Sequence, residues 1–171
     1  MNVEIQHNFI DNLTGVYKKE FFFESANYIL GLSVRNKIPF SLCVIDVDDL
    51  ATINAIYSDG IGHQILESVA QVIIHNCRES DVIAYLGDEK IGLILNNISG
   101  VDTQIFLNDL RKKIENDEHV FMGKKINVTA SIGVCMVHSY MNTNTIKTIY
   151  NKALDALRLA KEKGKNRIEV Y

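Results

Sequence analysis

The sequence has a single proline and ten glycines in 171 residues, which leaves little room for a disordered linker. No apolar run approaches the roughly 20 residues a membrane-spanning helix needs, so a membrane partner is not expected. A marked excess of either charge is also absent. The formal net charge of −3 supplies no basic field, which argues against a nucleic acid backbone as partner. The opening residues, MNVEIQHNFIDNLTG, show no charged start followed by an apolar stretch and do not read as a secretory signal. Cysteines are few, odd in number and far apart (Cys43, Cys77, Cys135), a pattern that fits neither a disulfide framework nor a zinc knuckle. Two of them fall in strand-like apolar runs, where a thiol serves as a small buried hydrophobe, and a reducing cytoplasm is the expected setting. Internal repeats and low-complexity segments are lacking as well.

What is present is ordinary globular material, 47% hydrophobic and 23% charged, of a length that suits one domain with one core. Leu13-Thr14-Gly15 reads as a turn, and an amphipathic helix is expected over about Tyr17 to Asn36. Phe40 to Asp46 reads as a short apolar strand, followed by the loop Val47-Asp48-Asp49-Leu50 and a helix near Ile61 to Cys77. The runs Val82–Tyr85 and Ile91–Leu95 flank Leu86-Gly87-Asp88-Glu89-Lys90 and signal a β-hairpin. A helix near Asp102 to Glu115, a strand over Lys125 to Val134, a long helix from about Thr145 to Lys163 and a short strand over Ile168 to Tyr171 complete the chain. Gly164 stops the long helix. The β-α-β-β-α-β core of this order predicts an α/β (α+β) fold of the split, palm-like kind. Its central sheet would be mostly antiparallel, with flanking helices placed on one face.

The motifs along the chain resemble those of the GGDEF, or diguanylate cyclase, family. That family opens with D-x-L-T-G-L-x-N-R-x-x-F, and here Asp11-Asn-Leu-Thr-Gly-Val-Tyr-Lys-Lys-Glu-Phe-Phe22 stands. The D-x-D after its first strand is matched by Asp46-Val47-Asp48, and the following I-N by Ile53-Asn54. Its V-T-x-S-I-G-V is matched by Val128 to Val134, and its A-K-x-x-G-R-N by Ala160-Lys-Glu-Lys-Gly-Lys-Asn166. These matches run in order from Asp11 to Asn166, so the resemblance covers nearly the whole chain, read as one GGDEF-like domain over 1–171 with 1–10 as a lead-in segment.

The resemblance implies a bacterial, cytoplasmic protein of cyclic di-GMP signalling. Working members place one GTP on each of two domains, and the 3′-hydroxyl of one attacks the α-phosphate of the other. Such chemistry uses Mg²⁺, a cation that prefers convergent carboxylate oxygens. By alignment Asp46, the backbone carbonyl of Val47 and Glu89 would hold the metal, and Glu89 would be the catalytic acid. Asn54 and His63 take the guanine-contacting positions, and Lys161 and Lys165, four residues apart, would bracket a phosphate from one helix face. Arg78 and Asp81 form the R-x-x-D of an allosteric cyclic di-GMP site, five residues before the signature turn. Each group also has a plainer reading, as solvated acids at loop ends, a solvent-facing helix histidine, a basic helix terminus and a surface ion pair. Asp48 and Asp49 read as loop residues that leave the backbone free to turn.

The signature itself departs from the pattern. Without a gap, Gly87 takes the first glycine, Asp88 the second, Glu89 the metal acid, Lys90 the acid after it and Ile91 the phenylalanine. Lys90 is expected to pair with Glu89 and compete with a metal. Tyr85 replaces an arginine, Ala51 a lysine and Asp109 a supporting arginine, with Arg111 close by. His63 replaces the acid that accepts from the guanine edge. These departures imply a degenerate GGDEF domain, catalytically weak or inactive, serving as a regulatory or nucleotide-binding module. The alternatives are an active, divergent diguanylate cyclase and a cyclic di-GMP receptor that uses the R-x-x-D site. GTP or cyclic di-GMP is the implied ligand, and a second copy or another GGDEF- or EAL-type signalling domain the implied partner.

Overall fold

A computed structural model describes residues 9–138 and 145–171. The lead-in residues Met1–Asn8 therefore lie outside the described residues. The central strand β2 (Phe40–Val47) is buried along all of its length, which explains why it reads as a continuous apolar run rather than an alternation. Its odd members Cys43, Ile45 and Val47 join one apolar cluster, and its even members Phe40, Leu42 and Val44 another. The first cluster is closed by α2 (Leu50–Tyr57), α3 (Asp59–Asn76) and α4 (Gly100–Asn116), through Ile53, Ile65, Val69, Leu107 and Leu110. The second is closed by α1 (Lys19–Asn36) and α5 (Ile146–Glu162), through Phe22, Ala26, Ile149, Ala153 and Leu157. Helices thus cover both faces, correcting the expectation of one, and the reason is the two-sided burial of β2.

Around it the sheet runs β1 (Tyr17–Lys18), β3 (Val82–Gly87), β4 (Lys90–Asn96), β2, β7 (Ala130–Val137), β8 (Ile168–Val170). The four inner strands pair antiparallel, and the edges β1 and β8 add parallel pairs. The expected mostly antiparallel sheet with flanking helices is what forms.

Three local departures bear on the site. Tyr17 and Lys18 pair with Ala84 and Tyr85 instead of opening the first helix. The loop expected after β2 becomes the short helix α2, whose Leu50 and Ile53 face the core. Its β-branched content masks it in the sequence. The expected strand over Lys125 to Val134 is two strands. β6 (Lys124–Ile126) folds back on β5 (His119–Phe121), and the sheet resumes only at Ala130. Residues 127–129 lie between the two strands, and the Asp48 amide donates to the Thr129 carbonyl at 2.8 Å, carrying the β2–β7 register one residue further.

Candidate active site

The signature turn joins β3 to β4. Gly87 and Lys90 pair across it, and Asp88 and Glu89 fill the two central positions with φ of 49° and 64°. A type I′ hairpin requires positive φ at both positions, a conformation that suits Gly or Asn far better than Glu. Asp88 is exposed, Glu89 half-buried, and Ile91 is fully buried in the core.

Register then decides what faces the acid expected to hold a metal. Asp46 pairs with Lys90 on β4 and with Ser131 on β7. Its side chain continues the even face of β2 and is only 5% exposed. Lys161, in the last turn of α5, donates to Asp46 Oδ1 at 2.6 Å. Lys90 Nζ stands 3.8 Å from Oδ2 and also donates to the Asp88 carbonyl at 3.0 Å. Lys90 therefore pairs with Asp46, not with Glu89 as expected, because cross-strand neighbours share a face. A buried carboxylate needs such compensation, and here two ammonium groups supply it.

Asp48 is a structural anchor, which corrects its reading as a turn-permitting loop residue. It is 4% exposed and accepts from the hydroxyls of Thr129 and Ser131, each at 2.7 Å, and from the Asn166 amide at 3.1 Å. It thereby ties the end of β2 to the start of β7 and to the segment after α5. Asp49 has φ of 58° and accepts from Lys165 at 2.5 Å. That hydrogen bond holds the Lys165 ammonium above its ordinary pKa. Lys165 lies beyond the helix end with φ of 63°, so it does not share a helix face with Lys161. Gly164, with φ of 112°, turns the chain between them. The two lysines serve different acids.

Asn54 packs against Gly62, the residue before His63. The Asn54 amide packs so closely on Gly62 that a methyl group there would overlap it, and the Asn54 Oδ1 is buried without a hydrogen-bond partner. His63, the next residue, is exposed. At the R-x-x-D site the Asp81 carboxylate is spent on backbone: it accepts from the Arg78 amide at 2.9 Å and the Asn96 amide at 3.1 Å. The Arg78 side chain is exposed beside a cleft of about 500 Å³ that Asp102 and Asp109 also line. Arg111 does not supplement it. Its guanidinium is held at 2.9 Å by Glu115 and 2.6 Å by Asn166 on another side of α4. The Asn166 side-chain amide, which also donates to Glu115, and after it Arg111 keep the Glu115 carboxyl below its ordinary pKa. Sequence reasoning missed this network and the Asp48 anchor, although the motif residues Thr129, Ser131 and Asn166 mark both.

Among the described residues no three His, Cys, Asp or Glu side chains converge as a metal cage would need. With both Asp46 oxygens facing ammonium groups, the residues at the family's metal position do not fit a divalent cation.

The chain belongs to the GGDEF family: residues 8–167 match the family described as "Diguanylate cyclase, GGDEF domain". It is 33% identical over 161 residues to diguanylate cyclase A of Treponema denticola, covering 92% of this chain and 43% of that protein. The probable diguanylate cyclase DgcT of Escherichia coli is 27% identical over 165 residues, covering 94% of this chain and 35% of that protein. The chain thus spans less than half the length of these curated relatives. Among solved structures, the coiled coil and GGDEF domain of DgcB from Caulobacter crescentus, in complex with c-di-GMP, superposes with a TM-score of 0.91 at 18% identity, over 98% of this chain and 88% of that one. Diguanylate cyclase SiaD of Pseudomonas aeruginosa, in complex with its activator SiaC, gives 0.91 at 23% identity, over 99% and 65%. These two likenesses concern the fold. No helix among the described residues is long and apolar enough to cross a membrane.

Proposed function

We propose that this chain is a degenerate GGDEF domain of cyclic di-GMP signalling, a cytoplasmic regulatory or nucleotide-binding module with little or no cyclase activity. The carrying observation is the pairing of Asp46 with Lys161 and Lys90 at 2.6 and 3.8 Å, which neutralises the acid a cyclase would present to Mg²⁺. The turn supports the same reading, since Asp88 and Glu89 put two carboxylates where the family's pattern has one glycine and one acid. Residues 1–171 form one such domain on this reading, with 1–10 as its lead-in. Asn54, His63, Lys161 and Lys165 remain the nucleotide-facing set; Asp46, the Val47 carbonyl and Glu89 are the altered metal and catalytic positions. A second copy, or another GGDEF- or EAL-type domain, is the natural partner. Incubation with GTP and Mg²⁺ followed by chromatography should show no cyclic di-GMP above a protein-free control. Sustained product formation, lost in Glu89→Ala, would instead establish an active divergent cyclase.

A second reading, a cyclic di-GMP receptor at Arg78 and Asp81, draws on the exposed Arg78 guanidinium at the mouth of its cleft. The Asp102 and Asp109 carboxylates in the same cleft oppose it by repelling phosphate. Calorimetric titration of the wild type and of Arg78→Ala with cyclic di-GMP decides: heat that vanishes in the variant establishes the receptor, and none in the wild type removes it.

A further inference from the structure

Lys90 is more than a lost acid. It lies directly across the ladder from Asp46, and its ammonium faces the Asp46 oxygen that Lys161 leaves open. A divalent ion bound to Asp46 would sit about 2.0–2.6 Å from a carboxylate oxygen. It would meet two positive charges at close range, at a carboxylate side chain only 7% exposed, although the Lys90 and Lys161 side chains are 28% and 39% exposed and the repulsion is partly screened. The turn offers no compensation, because its carboxylates do not complete a cluster with Asp46 among the described residues.

We propose that the Lys90 ammonium occupies the role of the divalent cation at Asp46: it is a tethered monovalent counter-ion, and the site excludes divalent metal. A phosphate reaching the site would then meet Lys90 and Lys161 directly, without a bridging ion. That corollary rests on the nucleotide-binding reading above, whereas metal exclusion does not.

The test is direct Mn²⁺ binding to the full chain, followed by the electron paramagnetic resonance of the free ion. Wild type, Lys90→Glu, Lys90→Met and Asp46→Asn are compared, with circular dichroism to check each fold. The expected result is no binding to wild type below millimolar Mn²⁺, and at least tenfold tighter binding in Lys90→Glu. Lys90→Met, which removes the charge without adding a ligand, should fall between them. Submillimolar Mn²⁺ binding by wild type that disappears in Asp46→Asn overturns the proposal, and this arm needs no folded Lys90 variant. A folded Lys90→Glu that gains no affinity overturns it too, because another feature would then exclude the metal. In a separate arm GTP is titrated into wild type in excess EDTA and in excess Mg²⁺. Equal affinities are expected, and binding seen only with Mg²⁺ counts against the proposal. Absence of GTP binding in both buffers removes the nucleotide-binding reading and leaves the Mn²⁺ result to decide metal exclusion.

Discussion

Left-handed backbone at Glu89 is a cost with no compensating contact among the described interactions. Non-glycine residues pay roughly 1 kcal/mol or more in this region. Glu89→Gly should therefore stabilise the chain by about 0.5–1 kcal/mol in urea unfolding. No gain would mean that the Glu89 side chain makes a stabilising contact offsetting the strain. Asp48 carries the opposite expectation. Asp48→Ala strands the buried Ser131 hydroxyl, the half-buried Thr129 hydroxyl and the Asn166 amide, and should cost on the order of 3 kcal/mol, with Asp48→Asn falling between variant and wild type. The sequence showed Asp46 and Asp48 as one motif. Their division of labour, an ion pair for one and a hydrogen-bonded anchor for the other, was invisible because both carboxylates find partners over 80 residues away.

At the scale of elements, a backbone-to-backbone junction forms where α5 crosses β7. A methyl group on Gly133 would overlap the Ala153 carbonyl oxygen and the Leu157 nitrogen, which are helix backbone and cannot rotate aside. Gly133→Ala should cost several kcal/mol, read as a fall in the denaturant midpoint at unchanged slope. The S-I-G-V motif is thus explained by packing, and Ser131 within it by the Asp48 anchor. Periodicity made the long helices and the inner strands legible. It did not reveal α2 or the β5–β6 hairpin. The first is too short and β-branched. The second depends on a turn at Met122 and Gly123, with φ of 48° and 74°, just before the run over Lys125 to Val134 that reads as one strand.

For the whole molecule, two of the described residues contribute separable acid sensitivity. Burial, partly offset by Asp117, holds the His119 imidazole below its ordinary 6.5. The unfolded chain therefore takes up a proton there before the folded one does, so stability is full above about pH 6.5 and declines as pH falls through the folded value. Urea unfolding at pH 7.5 and 5.5 should show this loss, and His119→Phe should reduce it. Glu115, held below its ordinary 4.5 by Asn166 and Arg111, adds a second decline only under more acid conditions. The thiols add none in this range. Burial pushes Cys43 and Cys135 up and Cys77 to about 12, so native protein should resist iodoacetamide at pH 8 and react once unfolded.

The sequence by itself determined the family, the order of the main elements and the positions where the signature breaks, because motifs and periodicities are local records of backbone and burial. Only the tertiary structure decided what those breaks do. The partner of Lys90 depends on strand register, that of Lys161 on where α5 ends above the sheet, and that of Lys165 on the turn at Gly164. Each contact joins segments that the chain keeps far apart, and charge pairing across such separations leaves no periodic trace.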